Sequence, residues 1–335
     1  MHLRRGEGYL EARGLYGEIL SVVVGAAFED MRVGSDLYSE AMGSHDKGKP
    51  KLAISFSGGR TSAVMTKLLL EKHRDEYSEV KVTFCNTGQE HEATLQFVRD
   101  CDDHFGFNTV WLEAVVNPVH GKGIRHRIVD FETASRDGEP FEAVIKKYGI
   151  PNPALPQCTE RLKVEVMLDY FRQWGQPGKA YKSAIGIRVD EADRMNLSGK
   201  YIYPLVAQRW TKRMVNDEVA SWPFDLGIPN DAHGNCVWCW KKSFRKLYTL
   251  AISNPEYFDF PRRMEKEYGS VKANDSDRTF FRGSRTANDI LREAGETSFR
   301  PYTDDDIIYK EFQLDWLDQG AACGDTCEIG ADYEA

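Results

Sequence analysis

The chain has 335 residues, of which 41% are hydrophobic, so it is long enough for one large domain or two ordinary ones. Its net charge of −8 argues against a general basic coat for nucleic acid, though not against a local basic groove. Its seven cysteines favour a reducing compartment, and no apolar run reaches the roughly 20 residues that span a bilayer, so we expect a cytoplasmic protein without a membrane partner.

Composition divides the chain into four segments. They are an N-terminal extension at 1–50, a regular domain at 51–200, a mostly helical region with a Cys-x-x-Cys element at 201–314, and an acidic tail at 315–335. The extension either forms an amphipathic helix at about 10–31 or is a weakly ordered stretch before a start at Met42.

From Lys51 onward, short apolar runs alternate with amphipathic runs. The runs predict strands at 51–56, 80–86, 109–115 and 180–187, and helices at about 61–73, 91–104 and 160–174. Polar residues at 117–156 predict a loop-rich flap. Strands that alternate with helices predict an α/β fold, in which a parallel sheet is covered by helices on both faces.

The first strand runs into a polar turn, "SFSGGRTS" at residues 55–62. Gly58 and Gly59 let backbone N–H groups turn inward, Ser57, Thr61 and Ser62 add hydroxyls, and Arg60 adds a charge. The following helix directs its positive end at the same place, so the turn predicts an anion site. The sequence contains neither a Walker A loop nor G-x-G-x-x-G here, and a plain strand–helix turn is the alternative.

The second strand ends in "NTGQEHEAT" at 86–94. Ligands bind at the carboxyl ends of parallel strands, so Asn86, Thr87 and Gly88 are expected beside the anion site. The alternative, compatible with the first, is a helix cap formed by Thr87 or Asn86 and supported by Glu90.

Three further segments follow in order: "CTERLKVEVM" at 158–167, "GIRVDEADR" at 186–194 and "YPLVAQRWTKRMVNDEVASWPFDLGIP" at 203–229. Together with the two turns, they resemble the phosphoadenosine phosphosulfate (PAPS) reductase-like family of the PP-loop, or adenine nucleotide alpha hydrolase-like, superfamily. The resemblance covers roughly residues 51–250 and is greatest to phage and bacterial relatives.

The resemblance implies a Rossmann-like (HUP) fold that holds ATP, PAPS or adenosine phosphosulfate (APS) on Ser57–Ser62. Arg188 and Arg194 would add charge for phosphate, and Lys163 would act in the same site. The alternative for these cations is surface pairing with Asp190 or Glu191. Many ATP-cleaving relatives carry Ser-Gly-Gly-x-Asp-Ser, and here Thr61 replaces the aspartate.

Cys236 and Cys239 form a Cys-x-x-Cys pair, whose spacing lets both sulfurs reach one metal. With Cys158 they are similar to the ligands of the [4Fe–4S] cluster in APS reductases, but Gln157 replaces the fourth cysteine. The cluster would then leave one iron open. Alternatively His233 completes a Cys₃His zinc site, or the pair are buried thiols among tryptophans.

The remaining cysteines carry less information. Cys85 and Cys101 fall within a strand and a helix and are expected to be core thiols. Cys323 in "ACGDTC" is similar, through Cys-Gly alone, to the C-terminal nucleophile of PAPS reductases. The alternative for Cys323 and Cys327 is a solvent-exposed pair.

Basic and aromatic residues interleave at 241–250 and 260–268, as in nucleic-acid grooves, although a solvated helix face has the same composition. The resemblance implies sulfur metabolism: reduction of a sulfonucleotide with a thioredoxin-like donor, or ATP-dependent thiolation supplied by a cysteine desulfurase. The alternative is a non-catalytic regulatory protein that binds a nucleotide, a cluster or zinc.

Overall fold

A computed structural model describes residues 48–119, 121–270 and 278–304 of the chain. The predicted N-terminal helix at 10–31, the acidic tail and the candidate nucleophile Cys323 lie outside these residues. None of the described helices is both long enough and apolar enough to cross a membrane.

The described strands form one sheet. They are β1 (Lys51–Ser55), β2 (Glu79–Cys85), β3 (Val110–Val116), β4 (Ile124–Val129), β5 (Tyr181–Ala184) and β6 (Tyr201–Ile202). Their order across the sheet is β4-β3-β2-β1-β5-β6. Strand β1 is parallel to β2 and β5, while β3 and β6 are parallel to their inner neighbours. The predicted α/β fold with a parallel sheet is therefore confirmed for these strands.

The described α-helices lie between and after the strands. They are α1 (Arg60–Lys72), α2 (Glu92–Phe105), α3 (Glu139–Tyr148), α4 (Glu165–Tyr170), α5 (Pro204–Ala207), α6 (Lys212–Ala220), α7 (Phe244–Ser253), α8 (Asp259–Tyr268) and α9 (Ala287–Glu296). Within the described residues, the regular elements that follow β6 are all helical, as the composition of this region predicts.

The prediction of a loop-rich flap at 117–156 is wrong, because this stretch contains β4 and α3. Strand β4 is antiparallel to β3 at the edge of the sheet, and Ile124 is its one buried residue, whereas Arg125, Arg127 and Ile128 are exposed. Half-burial of this kind is typical of an edge strand, and it lowers the apolar content that a sequence pattern detects.

The predicted helix at 160–174 changes its winding twice. A π-helical turn at Glu160–Val164 precedes α4, and a 3₁₀ turn at Phe171–Trp174 follows it. Such π-turns are commonly found at functional sites, and this one carries Lys163 and directly follows Cys158 and Thr159.

Both faces of the sheet are buried. Leu52 and Ile54 of β1 face a core shared with α1, α2 and α6, whereas Ala53 faces a second core. Alternate strand residues point to opposite faces, which explains this division. The second core also holds Ile290 of α9, so the C-terminal helices pack on the same hydrophobic cluster as the sheet.

Candidate functional site

The turn between β1 and α1 is held in one shape by its glycine and its hydroxyls. Gly58 has φ +79°, and a Cβ atom there would lie 2.7 Å from Thr94 Cγ2 of α2. Ser62 Oγ accepts a hydrogen bond from Ser57 N at 3.2 Å and donates to Gly59 O at 3.0 Å. The Ser62 hydroxyl thus links Ser57 to Gly59 and stabilises the turn.

Helix α1 begins after Gly59, and no side chain caps its first turn. The first N–H groups of a helix have no partner within the helix, so they can bind an anion. A pocket of about 530 Å³, open to solvent, lies at this helix end. We call it the phosphate-loop pocket.

The lining of the phosphate-loop pocket comes from distant parts of the chain. It comprises Ser57, Gly58, Gly59, Arg60, Thr61, Thr94, Arg188, Lys212, Asn216, Leu226, Ile228, Asp231, Gly234 and Asn235. The structure therefore brings Arg188 to the predicted loop. Sequence reasoning missed Lys212 and Asn216 of α6 and the apolar wall of Leu226 and Ile228.

Arg188 is nearly fully buried, at 4% exposure. Its guanidinium donates to Thr61 Oγ1 at 2.8 Å and forms ion pairs with Asp190 at 3.1 Å and Glu191 at 3.3 Å. Arg188 therefore lines the phosphate-loop pocket and also has carboxylate partners. Its contact with a phosphate stays a prediction. Arg194, in contrast, pairs with Glu191 at 2.6 Å and does not line this pocket.

The other cations of the pocket are also matched by carboxylates. Arg60 donates two hydrogen bonds to Asp225, at 2.8 and 2.7 Å, and this contact lowers the pKa of the Asp225 carboxyl. Lys212 is paired with Asp231. Bidentate pairing with a carboxylate uses the geometry that guanidinium also offers to phosphate. An entering phosphate group would compete with these carboxylates.

Asn86 and Gly88, predicted beside the anion site, lie in an internal network. Asn86 is fully buried and donates to Glu113 Oε1 at 2.6 Å and to Ser135 O at 2.8 Å. Gly88 N donates to Asn86 Oδ1 at 3.1 Å, and its φ of +77° suits glycine. This network connects the end of β2 to β3 and to the loop before α3. A nucleotide contact for these two residues stays a prediction.

The prediction that Thr87 or Asn86 caps the next helix is wrong, because the N-cap of α2 is His91, whose Nδ1 accepts from Ala93 N at 3.0 Å. Thr87 instead bonds to Glu90 in the turn before that cap. Its backbone N–H and its hydroxyl both donate to the Glu90 carboxylate, at 3.0 and 2.8 Å. The same hydroxyl oxygen lies 3.5 Å from Cys236 Sγ. Thr87 therefore belongs to a second pocket, not to the phosphate-loop pocket.

The three cysteines predicted to share a site line this second pocket, which has about 340 Å³ of empty space. Its lining comprises Thr87, Phe141, Cys158, Thr159, Leu162, Lys163, Cys236, Trp238, Cys239 and Trp240. We call it the cysteine pocket. Lys163 lies here and does not line the phosphate-loop pocket.

The Cys-x-x-Cys loop is fixed by contacts with the loop after β2 and with a buried lysine. Val237 N donates to Gln89 O at 2.9 Å, and Trp238 Nε1 donates to Gln89 Oε1 at 2.6 Å. Lys242 Nζ donates to Gly234 O at 2.9 Å and to Val237 O at 3.2 Å. No sequence signal indicated this role for Lys242.

Burial favours the neutral form of the Cys236 thiol. Burial raises the pKa of Cys236 well above its ordinary value, Glu90 raises this pKa further, and Lys163 opposes the rise. Burial also raises the pKa of Cys85 to about 12. Cys101 is buried as well, so the structure places both predicted core thiols in the interior.

The cysteine set suits iron–sulfur or zinc in ligand chemistry, since thiolates bind both. Among the described residues, however, no group of three or more His, Cys, Asp and Glu side chains is already arranged to hold a metal ion. His233 does not line the cysteine pocket; its Nδ1 lies 3.1 Å from Asn230 Oδ1 and its Nε2 3.5 Å from Asn254 Oδ1. A metal therefore stays a proposal.

Cations of the basic stretch contact aromatic rings and carbonyls of the protein. Arg263 lies over the Phe260 ring at 5.4 Å, Lys246 lies over the Tyr302 ring at 4.5 Å, and Arg245 donates to the carbonyls of Arg300 and Pro301. These contacts favour the helix-face interpretation. A nucleic-acid partner stays a prediction.

The sheet and the loop at its carboxyl edge define an α/β protein of the nucleotide-binding type. Residues 51–146 match the family described as the phosphoadenosine phosphosulfate reductase domain. The uncharacterized nin region protein ORF290 of Escherichia phage lambda is 31% identical over 287 residues, which are 82% of this chain and 94% of that protein. The chain therefore belongs to the PAPS reductase domain family, as its motifs predicted.

Two further relatives are more distant. The uncharacterized protein MJ0066 of Methanocaldococcus jannaschii is 27% identical over 130 residues, and the match spans 39% of this chain and 22% of that protein. The crystal structure of a PAPS reductase from Candida auris, in a phosphate complex, is 16% identical with a TM-score of 0.33. That match covers 58% of this chain and 78% of the reductase.

Proposed function

We propose that this protein is an enzyme that binds an adenine nucleotide in the phosphate-loop pocket and carries out sulfur chemistry in the cysteine pocket. One observation supports this proposal most strongly. Gly234 and Asn235 line the first pocket, and the next residue, Cys236, lines the second. The bound nucleotide and a reactive sulfur would thus lie on two sides of one short segment.

The phosphate-loop pocket would bind the nucleotide through its phosphates. The N–H groups at the start of α1 and the hydroxyls of Ser57 and Thr61 donate hydrogen bonds. Arg60, Arg188 and Lys212 supply positive charge once phosphate oxygens replace their carboxylate partners. Leu226 and Ile228 offer an apolar wall to the uncharged part of the nucleotide.

ATP-dependent thiolation uses both pockets. In this reaction an acceptor oxygen attacks the α-phosphorus of ATP and pyrophosphate leaves; sulfur then replaces the adenylated oxygen, and AMP leaves. Cys158, Cys236 and Cys239 would hold an iron–sulfur cluster or zinc, which stabilises thiolates and offers sulfur a soft metal ligand site. A cysteine desulfurase would supply the sulfur.

Sulfonucleotide reduction is the second candidate, and the family match favours it. A cysteine thiolate would attack the sulfur of PAPS or APS, the nucleotide would leave, and a thioredoxin-like dithiol would release sulfite. The candidate nucleophile is Cys323 or a cysteine of the described pocket.

The test is anaerobic purification of the full chain, followed by assays of iron, acid-labile sulfide and zinc, and by binding titrations with ATP, PAPS and APS. We expect nucleotide binding in the wild type, and loss of metal in Cys158→Ser. Cys101→Ser is the matched control, because that thiol is buried in α2 away from both pockets.

Products decide between the candidates. Formation of AMP and pyrophosphate together with a thiolated acceptor supports thiolation, whereas formation of sulfite supports reduction. Nucleotide binding without any of these products, over the full set of substrates, would favour the non-catalytic regulatory protein. Absence of nucleotide binding would contradict the proposal itself.

A further inference from the structure

The cysteine pocket contains a buried hydrogen-bond donor that has no acceptor within the described part of the chain. Trp240 is 2% exposed and lines the pocket. Among the described residues, no nitrogen, oxygen or sulfur atom lies within hydrogen-bond reach of Trp240 Nε1. A buried tryptophan N–H normally has a partner, because an unmet buried donor costs about 1–3 kcal/mol. The partner is therefore expected to come from outside the described residues.

The neighbouring polar groups of the pocket are already committed. The Trp238 indole N–H donates to Gln89 Oε1 at 2.6 Å. The Thr87 hydroxyl donates to Glu90, with both carboxylate oxygens within 2.9 Å. Trp238 and Trp240 thus both line one small pocket, and among the described residues the Trp238 N–H has an acceptor while the Trp240 N–H has none.

The chemistry of the pocket indicates what this ligand is. Lys163 lines the pocket and contributes positive charge. The rest of the lining is mainly sulfur and carbon: three cysteines, Phe141, Leu162 and the tryptophan rings. Oxyanions lose strong hydration on entering such a pocket. A sulfur anion is larger and less strongly hydrated, and it suits the soft thiol surroundings.

We propose that the cysteine pocket binds one small sulfur anion, of the hydrosulfide class, and that the Trp240 indole N–H is its hydrogen-bond donor. This inference rests on the proposed function, because it takes the cysteine pocket as the sulfur site. It adds a positioning residue that the family motifs do not contain and that sequence analysis placed among buried hydrophobic residues.

The test uses the full chain, purified anaerobically, in equilibrium dialysis against radiolabelled hydrosulfide. Trp240→Phe keeps the aromatic ring and removes the N–H. We expect one bound sulfur per wild-type chain and at least about tenfold weaker binding in Trp240→Phe, because hydrogen bonds to charged groups contribute about 1.5–3 kcal/mol. The matched control is Trp222→Phe, whose indole donates to Glu218 at 3.2 Å outside the pocket; its affinity should equal that of the wild type.

Thermal unfolding separates binding from folding. Without hydrosulfide, Trp240→Phe should be as stable as the wild type or slightly more stable, because it removes an unmet donor. A structural role for the N–H would instead lower the melting temperature of Trp240→Phe in the absence of any ligand, which would overturn the inference.

Two dialysis outcomes distinguish the inference from the proposed function. If the wild type and Trp240→Phe bind hydrosulfide equally while Cys158→Ser does not bind it, the role of Trp240 is wrong and the sulfur site stands. If the wild type binds no hydrosulfide, the inference is overturned, and the nucleotide and metal assays then judge the proposed function separately.

Discussion

The phosphate-loop pocket and the cysteine pocket adjoin at Asn235, yet they differ in whether the described residues supply partners for their polar groups. In the first, each of Arg60, Arg188 and Lys212 has a carboxylate partner within the protein. In the second, the Trp240 N–H has no acceptor among the described residues, and burial keeps the Cys236 thiol neutral. A nucleotide in the first pocket would have to exchange for these carboxylate partners, whereas the proposed ligand of the second pocket would supply an acceptor that the described residues lack.

The largest effect is expected at Arg188, because its charge is buried against Glu191. Arg188→Met keeps much of the side-chain volume and should lower the free energy of unfolding by about 3–5 kcal/mol, since it leaves carboxylates without their partner. Nucleotide binding should be lost with it. Urea unfolding and ATP titration measure the two effects.

Arg194→Met is the matched control for Arg188. It removes a cation from the same Glu191, but the Arg194 side chain is 24% exposed. Its expected cost is about 1 kcal/mol or less, with nucleotide binding retained. Equal losses of nucleotide affinity in the two variants would show that nucleotide binding in the phosphate-loop pocket does not depend specifically on Arg188.

The next largest effect is expected at Gly58. Gly58→Ala forces a side chain into a left-handed backbone and against Thr94 Cγ2, 2.7 Å away. We expect a loss of about 1–3 kcal/mol in stability and strongly weakened nucleotide binding, measured by thermal unfolding and calorimetric titration.

Gly106 provides the comparison for Gly58. It also has a positive φ, +64°, but among the described residues no atom lies within 4 Å of the position that a Cβ would take there. Gly106→Ala should cost about 1 kcal/mol with normal nucleotide affinity. If Gly106→Ala weakened nucleotide binding as much as Gly58→Ala does, backbone strain alone would explain both effects.

In the cysteine pocket, a several-fold effect on thiol reactivity is expected from two charges of opposite sign. Glu90 raises the pKa of Cys236 and Lys163 lowers it. Glu90→Gln should therefore speed alkylation of Cys236 by iodoacetamide in metal-free protein, and Lys163→Gln should slow it, each within about tenfold. Mass spectrometry of the Cys236 peptide gives the rates, and Cys101 serves as the internal reference. Changes in the same direction would contradict the charge assignment.

The smallest effect is expected at the exposed Arg60–Asp225 pair. Arg60 lowers the pKa of Asp225, so this pair stabilises the fold above the unfolded pKa of about 3.9, and the contribution is lost as the pH falls through the lower folded value. Asp225→Asn should cost up to about 1 kcal/mol at pH 7 and nothing at low pH.

Urea unfolding at both pH values checks this prediction. Asp217→Asn is the control, because Asp217 pairs with Arg213 at 3.7 Å on an exposed surface. A difference between wild type and Asp225→Asn that grows on acidification would have the wrong sign. Nucleotide affinity should rise in Asp225→Asn, since Arg60 is then released for phosphate.

Local patterns predicted much of the phosphate loop. A strand, two glycines and a helix start are adjacent in sequence, so Ser57–Thr61 could be placed without knowledge of the rest of the fold. Partners that lie far apart in sequence were not predictable in this way: Asp225 is 165 residues from Arg60, and they meet only once α6 has packed. Lys212 and Leu226 were missed for the same reason.

The cysteine pocket shows a different limit. The resemblance grouped Cys158, Cys236 and Cys239, and the structure places all three in the lining of one pocket; a shared metal stays a prediction. It could not reveal that His233 faces two asparagines, or that Trp238 has an acceptor and Trp240 lacks one among the described residues. These facts depend on side-chain packing. The two tryptophans are the same residue type and lie two positions apart, on either side of Cys239, so their sequence does not distinguish them.

The segment Gly234–Cys236 has a consequence for how the reaction is kept from water. Two peptide units separate Gly234 from Cys236, and consecutive Cα atoms are about 3.8 Å apart, so these residues are at most about 7.6 Å from each other. Covalent geometry, not a flexible arm, therefore fixes the spacing between the walls of the two pockets. An insertion of a single residue here would push the walls apart or buckle the segment, and a reactive group would then have a longer path through water, where it can be hydrolysed.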